Sequence, residues 1–356
     1  MSGIKSIASA RQRVPSEVVY RVDGGARLGM GHIYKALILE REMKKTCGNS
    51  FVFLFYLKED ERAYTKLIEN QAAVEQVPPD IDLREEMRWL CQKRRWRGKR
   101  PLLIVDILDV SKRYLRECRK YFNKIISMET LGDGSMLSDV VINAIVEGPK
   151  SRVAYRNGTR FFLGGDYRIF NEHFDRIKKK STKRFTIVVT LGGGDTRKYS
   201  YRVLDALKDI AQEVNIVLIF GPGVTRDEVD EETLLHTFPR LTLYWDVPNM
   251  AELFSRADLA ITAGGGTLYE IARVGVPGIV ISLVPHQERN AGFFEKEGCI
   301  ISLGPASTPF EKRLGEKVRW LMKNPKLRSE MNRRGRKLVD GKGRERVAKI
   351  VEETLL

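Results

Sequence analysis

Short apolar runs of strand length alternate with longer amphipathic stretches along nearly the whole chain, and near residue 185 the alternation restarts. This feature constrains the fold most. In the first half the runs lie at 18–22, 51–57, 102–105, 125–128 and 140–145. Between them, helical patterns cover 33–45, 61–70, 83–93 and 111–121. The second series begins with FTIVVTL at 185–191 and continues at 214–220, 241–245, 259–263, 276–283 and 299–303. Strands apolar on both faces, each followed by a helix, predict parallel sheets covered by helices. Two such series predict two doubly wound domains, with a cleft facing the carboxyl ends of their strands.

These patterns divide the chain into a polar extension at 1–17, a first domain at 18–174, a basic linker at 175–184 and a second domain at 185–356. Three helical stretches, 309–323, 327–339 and 344–354, are expected to close the second domain. A length of 356 residues suits two domains of ordinary size. No apolar run approaches the roughly 20 residues that span a bilayer. Four scattered cysteines, without a CxxC pair, argue against a zinc site or disulfide framework and suit a reducing cytoplasm. The formal charge of +16 is concentrated at 93–100, 176–184 and 312–349. Such segments are either solvated helix faces and a linker, or a surface for phosphorylated molecules or anionic lipid. No nucleic-acid-binding motif accompanies them.

Three glycine-rich turns carry the candidate chemistry. The first strand ends in Arg21-Val22-Asp23 and runs through Gly24, Gly25, Gly29 and Gly31 to His32, where a helix is expected at about Ile33. The spacing is neither a dinucleotide fingerprint nor a P-loop. A helix N-terminus disfavours imidazolium, so His32 reads as a neutral base, or as a mere cap. A second turn, Gly192-Gly193-Gly194-Asp195, follows the first strand of the second series. The third, Gly264-Gly265-Gly266-Thr267, leads into a helix containing Glu270 and is a natural diphosphate site. Glu270 could accept hydrogen bonds from ribose hydroxyls, but Thr267-x-x-Glu270 also fits a capping box, and the residues leave both open. Gln287 and Asn290, three apart, share a helix face able to hydrogen-bond a sugar.

In these motifs the chain resembles the UDP-sugar hydrolase of pseudaminic acid biosynthesis and the related spore-coat polysaccharide proteins. It is more distantly similar to the transferases that add N-acetylglucosamine to lipid-linked peptidoglycan precursors. The resemblance runs from about Val18 to Val351 and ends in Gly341-x-Gly343-x-x-Arg346-Val347. It implies the GT-B arrangement of two facing Rossmann-like domains. It places UDP on the second domain, with Gly193, Gly264, Gly265, Gly266 and Thr267 at the diphosphate and Glu270 at the ribose. It makes His32 the base that activates water at the anomeric carbon. Asp23, the catalytic partner expected for it, and Asp106 could each orient His32 or bind sugar hydroxyls, or could merely cap strand ends. Gly29, Gly31, Asp106, Gln287 and Asn290 would line the sugar cleft. No metal or cofactor is implied.

The chain departs from the hydrolase pattern at Asp106-Ile107-Leu108, where that family has Asp-His-Tyr. It departs again at Met128-Glu129-Thr130, where paired aspartates are usual, and at Lys35, where an arginine often stands. The expected activity is hydrolysis of a UDP-sugar in nonulosonic acid or surface polysaccharide synthesis. The alternative is a glycosyltransferase in which His32 deprotonates an acceptor hydroxyl, a reading that the basic segments would suit through transient contact with an anionic membrane. A nucleotide-sugar 2-epimerase and a sensor without turnover are further options.

Overall fold

The computed structural model describes residues 16–25, 29–58, 60–93, 100–130, 132–144, 152–180, 182–192, 199–221 and 223–355. The first sheet is built from β1 (Ser16–Val22), β2 (Phe51–Lys58), β3 (Val74–Val77), β4 (Leu102–Asp106), β5 (Lys124–Met128), β6 (Val140–Asn143), β7 (Arg152–Arg156) and β8 (Thr159–Leu163). Helices α1 (Gly31–Cys47), α2 (Glu61–Glu69), α3 (Leu83–Lys93) and α4 (Lys112–Cys118) connect its first five strands. The strand order is β3-β2-β1-β4-β5-β6-β8-β7, parallel except for β7, which pairs antiparallel with β8. The β7–β8 hairpin and β3 escape the apolar-run reading: β3 is short and half-buried, and β8, next to the edge strand, is only partly buried along most of its length. Asn157 and Gly158, both at positive φ, make the tight turn between the hairpin strands.

The second sheet repeats the plan. It comprises β9 (Thr186–Thr190), β10 (Asn215–Phe220), β11 (Leu241–Trp245), β12 (Leu259–Thr262), β13 (Gly278–Ser282) and β14 (Ile300–Pro305), in the order β11-β10-β9-β12-β13-β14 and all parallel. Helices α5 (Tyr199–Leu207), α6 (Glu231–Thr237), α7 (Met250–Arg256), α8 (Thr267–Val274) and α9 (Pro285–Lys296) connect these strands. In each sheet the order reverses next to the first strand, between β1 and β4 and between β9 and β12. These are the points where a doubly wound fold opens a crevice.

Three helices follow: α10 (Glu311–Lys323), α11 (Pro325–Leu338) and α12 (Gly343–Leu355). The first two pack on the second domain, as expected, α10 against α5 and α11 against α8. The third does not. Val347, Ala348, Ile350 and Val351 of α12 are buried in the first domain's core, beside α1. Arg344 fastens that return, 3.0 Å from the Glu42 carboxylate and donating to Asp175 at 2.8 Å. The apolar face of α1 is too broad for one side of a sheet to cover, and α12 closes it. The chain therefore crosses between the domains twice, at 164–184 and 339–343.

Candidate active site

The carboxyl ends of β1, β4 and β5 converge on the start of α1. The loop entering α1 is pinched by paired backbone hydrogen bonds between Gly25 and Gly29 (3.1 and 2.8 Å), and Gly29 sits at φ 80°, where a side chain would be strained. The helix then begins at Gly31, two residues earlier than the sequence suggests. His32 lies in its first turn, its side chain 26% exposed.

Beneath His32 is a chain of buried charges. The register of β1 against β4 sets Asp106 beside Val22, so its carboxylate comes up under the helix. Its Oδ1 lies 2.6 Å from His32 Nδ1 and accepts from Lys35 Nζ at 2.9 Å, while Oδ2 accepts from the Tyr20 hydroxyl at 2.9 Å. Lys35 also donates to Glu129 at 2.8 Å, and Arg168 donates to the same carboxylate at 3.3 Å. Burial alone would raise the Asp106 carboxyl, but Lys35 and His32 outweigh it and hold it below the ordinary range. Glu129 is likewise drawn down to about 2, against burial, by Lys35 and Arg168. Burial works against the Lys35 ammonium, but the two carboxylates more than offset it and keep the lysine charged. With an ionised Asp106 accepting from Nδ1, the other ring nitrogen, Nε2, is left to take a proton from a reacting group.

Asp23, expected to support His32, is engaged elsewhere. It accepts from Arg21 at 2.5 Å and from the Lys58 amide at 3.2 Å. Arg21, fully buried, also pairs with the buried Glu86 at 2.5 Å. Asp106 is therefore the residue that orients the imidazole, and Asp23 braces the loop. Reasoning from sequence noted Lys35 and Glu129 only as departures from the hydrolase pattern, without placing them in the site, and missed Arg168. A signal existed for the first two: Lys35 is one helical turn from His32, and Glu129 follows the strand beside β4. Arg168 has none, because it reaches the site from the irregular stretch after β8. Glu129 is held at φ 50°, a backbone conformation uncommon outside glycine and typical of functional sites.

Across the cleft, the turn at 264–267 presents mainly backbone. Helix α8 has Gly266 as its N-cap and no capping side chain, so Thr267 and Glu270 form no capping box. The Leu268 and Tyr269 amides are spent on the Gly265 and Gly266 carbonyls. The amides at 265–267 precede these bonds and are the donors suited to an anion. Glu270, with no helix end to cap, has its carboxyl pushed up to about 7 by burial, with Arg168 pulling the other way.

The glycine at 266 is also a matter of space. A Cβ there would lie 2.5 Å from an Arg168 Nη, so the guanidinium rests on the turn itself. Its Nε is buried without a hydrogen-bond partner among the described residues. Arg168 thus joins the two sides of the cleft, from Glu129 to Gly266. The sugar-binding expectation for Asn290 and Gln287 meets a structural use of both. Asn290 donates to the Gly264 and Gly265 carbonyls at 2.7 and 3.2 Å, and Gln287 Oε1 accepts from the Leu283 amide at 2.8 Å. They shape the turn. Gly193 lies outside the described residues, as does most of its turn.

Elsewhere, the basic C-terminal run lies on the outer faces of α10 and α11, where Glu330 pairs with Arg333 and Arg334 at 2.7 and 2.8 Å. No helix among the described residues is long and apolar enough to cross a membrane.

Two Rossmann-like domains, each a doubly wound sheet with helices on both faces, define the GT-B fold. Residues 186–349 match the glycosyltransferase family 28 C-terminal domain. The spore coat polysaccharide biosynthesis protein SpsG of Bacillus subtilis (strain 168) is 31% identical over 340 residues, 93% of this chain and 96% of that protein. The chain belongs to this spore-coat polysaccharide family. Among solved structures, Acinetobacter baumannii MurG superposes with a TM-score of 0.69 at 16% identity, covering 95% of this chain and all of that one. Anabaena HepE in complex with UDP superposes at 0.58 and 11% identity, over 95% of this chain and 100% of that one. These two likenesses are of fold.

Proposed function

We propose that the protein transfers a sugar from a UDP-sugar to an acceptor hydroxyl, with His32 as general base. The observation that carries this reading is the His32–Asp106 pair set opposite the amide-lined turn at 264–267. His32 Nε2 takes the hydroxyl proton as the acceptor oxygen bonds to the anomeric carbon. The bond from that carbon to the diphosphate breaks on the opposite face, UDP leaves, and the anomeric centre inverts. Asp106 stays ionised and stabilises the imidazolium. The amides at 265–267, with Arg168 beside Gly266, offset the charge that grows on the departing diphosphate. Above pH 7 the ionised Glu270 can accept from the ribose hydroxyls. The glycosyltransferase family match and the UDP held by the HepE neighbour support the donor class.

Hydrolysis, the activity first expected from the sequence, uses the same groups with water in place of the acceptor. The partial exposure of His32 gives water a route to it. The comparisons favour transfer. Release of free nucleotide from UDP-, GDP- and CMP-sugars, with and without added glycoside acceptors, separates the two. Transfer requires that UDP release depend on the acceptor and that a larger glycoside appear. Rapid release with no acceptor, yielding free sugar, would restore hydrolysis.

A further inference from the structure

Glu129 is held from two sides, and unequally. Lys35 donates to its carboxylate at 2.8 Å, whereas Arg168 reaches the same carboxylate at 3.3 and 3.5 Å. We propose that Glu129 is a placeholder for the donor's diphosphate: it keeps Arg168 on the first domain and yields it when a diphosphate reaches the turn at 264–267. The proposal rests on the reading that puts UDP at that turn. It makes Glu129 a positioning residue that sets how tightly UDP is held.

Charge supports it. Lys35, Asp106, Glu129 and Arg168 carry two positive and two negative charges, which cancel along one chain of contacts. A diphosphate meets no net cation in this group unless Arg168 leaves its carboxylate. The exchange costs little on the Glu129 side, because the shorter and stronger bond to Lys35 stays in place. An apparent affinity falls with the fraction of protein whose binding group is engaged elsewhere. A competing carboxylate therefore loosens the donor, and loosens the UDP product with it.

Geometry supports it too. One Nη of Arg168 donates to Glu129, and the other would stand 2.5 Å from a Cβ placed on Gly266. The same fork thus faces carboxylate and turn at once, and a guanidinium matches phosphate oxygens as well as carboxylate ones. The backbone beneath it is fixed. The Arg168 amide donates to the Gly165 carbonyl at 3.1 Å, and Gly343, on the second crossing, abuts the Arg168 carbonyl with no room for a Cβ. The guanidinium lies 5.6 Å over the Tyr269 ring, a contact along which it can turn without losing its support. A change of side-chain torsion is enough to pass it from Glu129 to the turn.

Titration calorimetry with UDP, and with uridine as the probe that lacks phosphate, tests this on wild type, Glu129→Gln, Arg168→Gln and the double variant. Glu129→Gln should bind UDP about 3–10-fold more tightly and Arg168→Gln about 10-fold more weakly, the range of one charge-assisted hydrogen bond. Uridine affinity should stay unchanged throughout. In the Arg168→Gln background, removing the Glu129 charge should alter UDP affinity by less than about twofold, because nothing is left to compete for. Glu129→Asp keeps the charge but draws it back by one methylene. It should tighten UDP in the same sense, and it decides the matter if the Gln variant does not fold. An unchanged or weaker affinity for UDP in the folded Glu129 variants, or a gain that persists without Arg168, overturns the placeholder. Failure of wild-type protein to bind UDP would instead sink the transfer reading, and inorganic pyrophosphate titrated into the same variants would then decide the role of Glu129.

Discussion

The two domains share one strand plan and put opposite materials at the same place in it. In the first domain the switch point is filled with ionised side chains: His32, Lys35, Asp106 and Glu129, tied together within 3 Å. In the second it is filled with backbone: three glycines, a bare helix start, and a carboxyl that burial has lifted toward neutrality. Proton transfer needs groups that change charge at a fixed point. Holding a diphosphate needs donors that never change charge. The fold supplies the crevice twice, and on the proposed reading the material at each crevice divides the work.

The sharpest way to break this division is at His32. Replacing it with alanine should lower turnover by about 10²–10⁴-fold, the usual yield of a positioned base, and leave UDP affinity, by titration calorimetry, within a factor of two. Asp106→Asn should lose much of the same activity. Equal loss of UDP binding in either variant would mean the domains are not separable in this way.

The mirror experiment is Gly264→Ala. Its Cβ would lie 2.6 Å from the Gln287 carbonyl oxygen, so the turn must move. UDP should bind about 10–100-fold more weakly, about 1.4–2.7 kcal/mol, while turnover of bound donor falls far less than in His32→Ala.

A smaller effect comes from the two glutamates, which titrate in opposite senses. Glu129 is depressed to about 2, so its contribution to stability is present above the ordinary carboxylate range and is lost as pH falls toward 2. Its Gln variant should be less stable near pH 7, by up to about 3 kcal/mol, and should lose less on acidification, by urea denaturation. Glu270 is raised to about 7, so its contribution is present below the ordinary range and is lost as pH rises through 7. Glu270→Gln should flatten that decline, and should also remove a few-fold rise in UDP affinity between pH 6 and 8. Matching pH trends for the two variants would contradict the assigned environments.

Much of this comparison is legible in the sequence, because period and glycine placement are local properties. The strands of the second domain, the turn before His32 and the turn at 264–267 all follow from them. What the sequence hides is set by register and by distant segments. The sequence offers both Asp23 and Asp106 to orient His32, and only β-pairing decides for Asp106 by setting it beneath the imidazole. Helical spacing puts Gln287 and Asn290 on one face without revealing that the turn at 264–265 and the Leu283 amide occupy their amides. Arg168 reaches Glu129 across 39 residues of chain and the turn at Gly266 from the other domain, α12 returns to the first domain past the whole of the second, and no periodicity encodes either.

The return of α12 also sets an order of events. The first domain is the first to be synthesised, yet Val347, Ala348, Ile350 and Val351 belong to its core. Until the ribosome has released these residues, the apolar flank of α1 waits uncovered while the second domain is made. The nascent chain therefore completes its earliest domain last, and a stalled or truncated product would expose the surface that chaperones and proteases recognise.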